Sequence, residues 1–258
     1  MDEPVRLGGM ALGNGVLVHG PTTWAAAIRG RDGSLKVVAE RKRFRANDVE
    51  LPLLRGPLRL VESFAFLPQV KRRLPEAEFP FQRPGVIAAM LGSAVTVQAL
   101  RSGRRLRPLA QELLAAIAGL APAALALRGS DLAAYHGAEH ISIGTYEHGE
   151  DRRREHERCG GHLVGPMLLA SGAANLLTRL APPHLRGRAR FAGQLVALGV
   201  ATETFGWMTR HPRHPVSRAL STPGHELQHR LSTREPTAKQ LEVAEAALAA
   251  CLALEHRT

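Results

Sequence analysis

Alternation of apolar and polar positions marks the first fifty residues and gives way to helical spacing beyond them. Residues 15–21, "GVLVHGP", form a short apolar run closed by Gly-Pro. Residues 22–40, "TTWAAAIRGRDGSLKVVAE", hold two extended runs that meet around Asp32-Gly33, a residue pair that tolerates the backbone angles of a tight hairpin. Residues 7–50 are therefore predicted as β structure, and 1–50 as a small N-terminal antiparallel β unit. From about residue 51, Ala/Leu-rich stretches with three-to-four spacing, broken by Pro/Arg clusters, predict a mainly α-helical domain over 51–258. The expected fold class is α+β. The clearest single element is C-terminal: Thr237 and Gln240 form a capping-box pattern after Pro236, and Leu241, Ala244, Leu248 and Cys251 follow on one helical face, which makes Cys251 a core residue.

Four helical runs are apolar enough to raise the question of a membrane: 85–100, 108–127, 162–178 and 191–208. Each is near or below the roughly 20 residues a spanning helix needs, and two carry acids, Glu112 and Glu203. Arginines flank them on both sides (Arg101, Arg104, Arg105 and Arg107; Arg152 to Arg154; Arg186, Arg188 and Arg190), so a positive-inside count yields no orientation. Such runs suit buried helices of a soluble or interfacial domain as well as a bundle in lipid. The helical domain is accordingly expected to be partly membrane-like.

Charge changes this picture modestly. Lys+Arg number 34 against 23 Asp+Glu, a formal net charge of +11, which favours an anionic partner. Only Lys36, Lys42, Lys71 and Lys239 are lysines, and an arginine- and alanine-rich composition is also what GC-rich coding produces. Anionic lipid is the expected partner, nucleic acid is not, and sequence leaves the small-molecule or peptide substrate unnamed. The expected location is the cytoplasmic side of the cell membrane or within it, with the cytoplasm as alternative. Cys159 and Cys251 stand too far apart in context for a disulfide framework, the N-terminal stretch lacks the basic start and apolar core of a signal peptide, and no Walker or dinucleotide glycine motif is present.

Candidate chemistry gathers in residues 130–140, "SDLAAYHGAEH". On a helix capped by Ser130 or Asp131, His136, Glu139 and His140 share one face, and that face is the apolar one, where buried imidazoles and carboxylates need partners. One divalent ion satisfies several at once. His-x-x-Glu-His is also the inverzincin order, in which two histidines hold zinc and the glutamate activates water. His136 and His140 are thus candidate ligands and Glu139 the candidate general base. A third acid would come from Glu203 or from Glu147, two turns beyond His140. His156 and Cys159, in His-x-x-Cys spacing beside Gly160-Gly161, offer a further ligand pair. Zinc is the first metal expected, with iron or manganese also compatible. Against this stand an ion pair of Glu203 with one of the many arginines, a solvated His156, and helix histidines bonded only to backbone. Gly137 inside the motif costs the helix about 1 kcal/mol relative to alanine. The metal reading places both imidazoles against the segment carrying Glu203, with His156 and Cys159 at the rim.

These strings together resemble the YqhQ-like family of bacterial proteins. "LGGMALGNGVLVHGP" is similar to its N-terminal Gly-Gly-Gln-Ala-Val-Ile-Glu-Gly motif, "YHGAEH" with Tyr146-Glu147 to its central signature, "HERCG" to its His-x-Arg-Cys-Gly motif, and "PGHELQHRLSTREPTAKQLEVAEAAL" to its C-terminal block. Met10, Asn14 and His19 depart from the family's glutamine, glutamate and arginine. The resemblance implies a predicted metal-dependent enzyme, usually integral to the membrane. Two functions follow as expectations: a metal-dependent hydrolase acting through metal-activated water, or a non-catalytic membrane-associated scaffold, binding an anionic partner, with a structural His/Glu network.

Overall fold

A computed structural model describes residues 4–43, 46, 49–103, 106–128 and 130–257; Arg104 and Arg105 lie outside the described residues. Four strands, β1 (Gly8–Leu12), β2 (Gly15–His19), β3 (Thr23–Arg29) and β4 (Leu35–Arg41), form an antiparallel meander in the order β1-β2-β3-β4. The predicted hairpin closes at Asp32-Gly33, where the Asp32 carboxylate accepts from the Ser34 amide at 3.0 Å and Gly33 takes φ +80°. Among the described residues nine α-helices follow: α1 (Arg55–Ala65), α2 (Leu67–Arg73), α3 (Pro84–Ser102), α4 (Pro108–Leu127), α5 (Leu132–His148), α6 (Val164–Thr178), α7 (Arg186–Arg210), α8 (Pro215–Leu227) and α9 (Ala238–Glu255).

Because strand side chains alternate, each strand feeds two cores. Val16, Val18, Ala25 and Ala27 point to one face and pack against α5 and α9 through Ala138, Val243, Ala244, Ala247 and the buried Cys251. Small alanines on β3 let α9 lie close to the sheet. Leu17, Trp24, Ala26 and Ile28 point the other way, onto Phe66, Leu67, Val70 and Leu74 from α1–α2. The sheet is therefore sandwiched between helices from both ends of the chain. α9 begins with the expected capping box, Thr237 and Gln240 each accepting from the other's backbone amide.

A buried charge pair closes the α1 side. Lys42 Nζ lies 2.7 Å from Glu62 Oε1, 3.0 Å from His19 Nδ1 and 5.9 Å from the centre of the Phe66 ring; Glu62 Oε2 accepts from the Ala46 amide at 2.9 Å. Both charged side chains are almost wholly out of water.

Helices α3 with α4, and α6 with α7, pack as two hairpins beside this head. Polar side chains tie the hairpins together at the end where α3 finishes and α7 begins. Arg101 binds Glu112 at 3.0 Å, Asn175 donates to the same carboxylate at 3.2 Å, and Arg179 donates to the buried Gln111. The outward faces are apolar and uncovered, with Leu91, Val95 and Ile117 each at 66–70% exposure. α3 and α4 are long and apolar enough to cross a membrane.

Candidate metal centre

Helix α5 carries His136 and His140 one turn apart, and their rings lie 4.3 Å apart between centroids. Each ring is fixed through Nδ1. The backbone carbonyl of Ser232 is 2.8 Å from His136 Nδ1, and that of Arg154 is 2.6 Å from His140 Nδ1. A carbonyl only accepts, so both Nδ1 atoms carry the proton and both Nε2 lone pairs are left for a ligand role. Cys159 Sγ stands 3.6 Å from His136 Nε2, and the ligand atoms of His136, His140 and Cys159 all fall within 4.8 Å of one another. Ligands bound tetrahedrally at zinc-like bond lengths sit about 3.3–3.8 Å apart, so the three could hold one ion after drawing together by up to about 1.5 Å.

Sequence explains how the segments reach these positions. Gly137 lies where residues 233–235 cross α5; a β-carbon there would stand 2.1 Å from the Arg234 carbonyl oxygen, and the Arg234 amide bonds Ala133 O at 2.8 Å. Glycine in mid-helix is the condition for bringing the Ser232 carbonyl to His136. A π-turn over Gln228–Ser232 delivers the same segment. Cys159 caps the short 3₁₀ turn Gly160–Leu163 by accepting from the Gly161 amide at 3.3 Å.

Burial dominates the electrostatics. It pushes His140 down to about 2, aided by the neighbouring His136, and lowers His136 as well, so both rings stay neutral and able to ligate. The Cys159 thiol is pushed up to about 12 and remains protonated unless a cation faces it. Glu139 is driven by desolvation up to about 8, so it keeps its proton at pH 7. Once it ionises at higher pH, its charge opposes thiolate formation at Cys159. The Glu139 carboxyl rests on Gly9 of β1, where a β-carbon would stand 2.3 Å from Oε1. The glycine pair at the start of the sheet thus leaves room for the acid.

The family described as "Protein of unknown function (DUF1385)" matches residues 130–254, the stretch that builds this centre. The chain is similar to this family over just under half of its length. A curated relative, "Uncharacterized protein YqhQ" of Bacillus subtilis (strain 168), is 33% identical over 118 residues, covering 43% of this chain. The match spans 37% of that relative's own length. No solved structure matches.

Within this YqhQ-like region the other expected ligands take different partners. His156 packs 5.5 Å from His140, but both its nitrogens are engaged: Nδ1 accepts from the Arg158 amide at 3.3 Å, and Nε2 faces Glu147 Oε2 at 3.3 Å. Glu147 also binds Arg158. These two residues form a layer beside the cluster. Glu203 does not join it. Its Oε1 accepts from Arg55 Nε at 2.7 Å and from the Leu53 amide at 3.2 Å. The helix carrying the histidines packs on α9, β1 and β2, where α7 was expected. An arginine at the start of α1 answers the carboxylate's desolvation more directly than a distant ion. Glu203→Gln is accordingly expected to leave the metal content per chain, read by elemental mass spectrometry, at the wild-type level; loss of metal would put this carboxylate back in the site.

Gln228 and His162 were not singled out from sequence. Gln228 is fully buried; its Oε1 accepts from the His156 amide at 2.9 Å and its Nε2 lies 3.0 Å from His162 Nε2. Gln228 stands in the C-terminal block of the resemblance, which was its only signal. Asn14, where the family motif has glutamate, joins the β1–β2 turn to Arg29 O and Glu76 O and accepts from the Glu78 amide.

Proposed function

We propose that this chain is a membrane-held, metal-dependent hydrolase whose ion is bound by His136, His140 and Cys159. The observation that carries it is the pair of imidazoles with Nδ1 tied to backbone carbonyls and Nε2 turned toward one thiol. Two neutral imidazoles and a thiol suit zinc first. When bound, the ion supplies a Lewis acid that polarises a scissile carbonyl or phosphoryl oxygen and makes water more acidic. Glu139 is the proton carrier: burial raises its affinity for a proton, and a neighbouring cation brings that affinity back toward neutrality. His156 separates the cluster from a cavity of about 580 Å³ lined by Arg158, Phe205, Met208 and His225, which is the substrate space in this reading.

The test uses the purified chain, metal-loaded and chelator-treated, against chromogenic ester, phosphoester and peptide panels. Hydrolysis should depend on metal, and Glu139→Gln should lower it about 10²–10⁴-fold with metal content unchanged. Loss of metal in Glu139→Gln would reassign the acid as a ligand; full activity would remove it from the chemistry.

Membrane insertion is part of the same reading. Four helices present uncovered apolar faces while their Arg, Glu, Asn and Gln side chains turn inward to one another, the reverse of a water-soluble bundle. The protein should stay with membranes through high-salt and alkaline washes and leave only with detergent. Release by salt alone would contradict insertion.

A further inference from the structure

Helix α1 has two unlike sides. One is bound into the protein: Glu62 is buried against Lys42, and Arg55 grips Glu203 of α7. The other carries Leu54, Pro57, Val61 and Phe64 at spacings of three, four and three, a single helical stripe, and Leu51 lies just before it. Val61 and Phe64 are 57% and 54% exposed, with Leu51 and Leu54 comparably open. A stripe of large apolar side chains facing outward is costly in water.

Its position along α7 says what covers it. α1 crosses α7 at Gly199, Thr202 and Glu203. Glu203 lies 17 residues after Arg186, about 25 Å along the helix at 1.5 Å per residue, against a hydrocarbon thickness of about 30 Å. Below the crossing, α7 exposes Phe191, Leu195, Val196 and Val200; above it come Thr202, Glu203, Thr204 and then Trp207, stacked on His211. Apolar outer surface thus ends where α1 lies, and an aromatic marks the change, as at a membrane–water boundary.

The turn into α1 is built for this contact. Leu53 adopts φ +67°, a left-handed conformation that strains a leucine, while its amide donates to Glu203 and its carbonyl oxygen would stand 2.6 Å from a β-carbon at Gly199. We propose that α1 is an interfacial anchor, lying in the boundary between headgroups and acyl chains of an anionic bilayer with Leu51, Leu54, Val61 and Phe64 immersed, and that Glu203 is the latch that holds it there. The chain's formal net charge of +11 favours anionic headgroups at this boundary. This rests on the membrane insertion proposed above and is independent of the metal.

The test reconstitutes the full chain into phosphatidylcholine/phosphatidylglycerol vesicles containing a photoreactive phospholipid with its diazirine either high on the acyl chain or at the terminal methyl. Tryptic peptides are then mapped. The shallow probe should label residues 60–71, and the deep probe should label α3 and α4 but not α1. Val61→Asp with Phe64→Asp should lower shallow labelling of α1 about tenfold, with α3 and α4 labelled as before. Glu203→Gln should lower it too. In the wild-type chain alone, no shallow labelling of 60–71, or equal labelling by both probes, would overturn the anchor. Absence of deep labelling on α3 and α4 would instead overturn insertion itself.

Discussion

His140→Ala is expected to strip the protein of its metal and to lower its melting temperature. The substitution removes one of three converging ligand atoms and also leaves the Arg154 carbonyl without its donor, a buried acceptor whose loss of partner costs about 1–3 kcal/mol. His136→Ala should act alike through the Ser232 carbonyl, and Cys159→Ser should weaken metal binding with less effect on folding, because the hydroxyl can still accept from the Gly161 amide. Elemental analysis with thermal unfolding, with and without added zinc, separates the effects: zinc should raise the wild-type melting temperature and leave that of His140→Ala unmoved. Equal stabilisation of both would place the ion elsewhere.

Lys42→Met is expected to destabilise the fold by about 3–5 kcal/mol, because it leaves Glu62 as a buried, uncompensated carboxylate. Lys42→Met with Glu62→Leu should recover most of that loss, since two apolar side chains carry no unpaired charge. Urea unfolding in detergent measures both; a double variant no better than the single would mean that packing around Phe66, not the charge, is at stake. His19 adds a pH dependence. Burial, and then Lys42, lower its folded value from 6.5 to about 3. Between those limits the unfolded chain binds a proton that the folded chain refuses. Stability is therefore full above about pH 6.5 and falls as pH drops toward 3, by up to about 1.4 kcal/mol per unit.

What was legible in the sequence was local. The Asp32-Gly33 turn, the Thr237–Gln240 capping box and the buried Cys251 depend on residues a few positions apart, and all three are present. The pairing of His136 with His140 was legible for the same reason, one helical turn being a fixed distance. An arginine pairing for Glu203 was also legible as the alternative to a metal role, but not which arginine, because Arg55 is 148 residues away and nothing periodic links the two. Nor was the support of the two imidazoles, since the acceptors are the backbone carbonyls of Ser232 and Arg154, groups every residue possesses. Gly9 read as part of a motif; its role in making room for Glu139 becomes visible only when β1 lies against α5.

X-ray absorption spectroscopy at the metal edge of the purified, detergent-solubilised protein tests the central claim most directly. The arrangement of His136, His140 and Cys159 predicts about one ion per chain with two nitrogen scatterers near ~2.0 Å and one sulfur near ~2.3 Å, the sulfur vanishing in Cys159→Ser. A metal-free protein that does not take up zinc, or a bound ion with only oxygen neighbours, would contradict it.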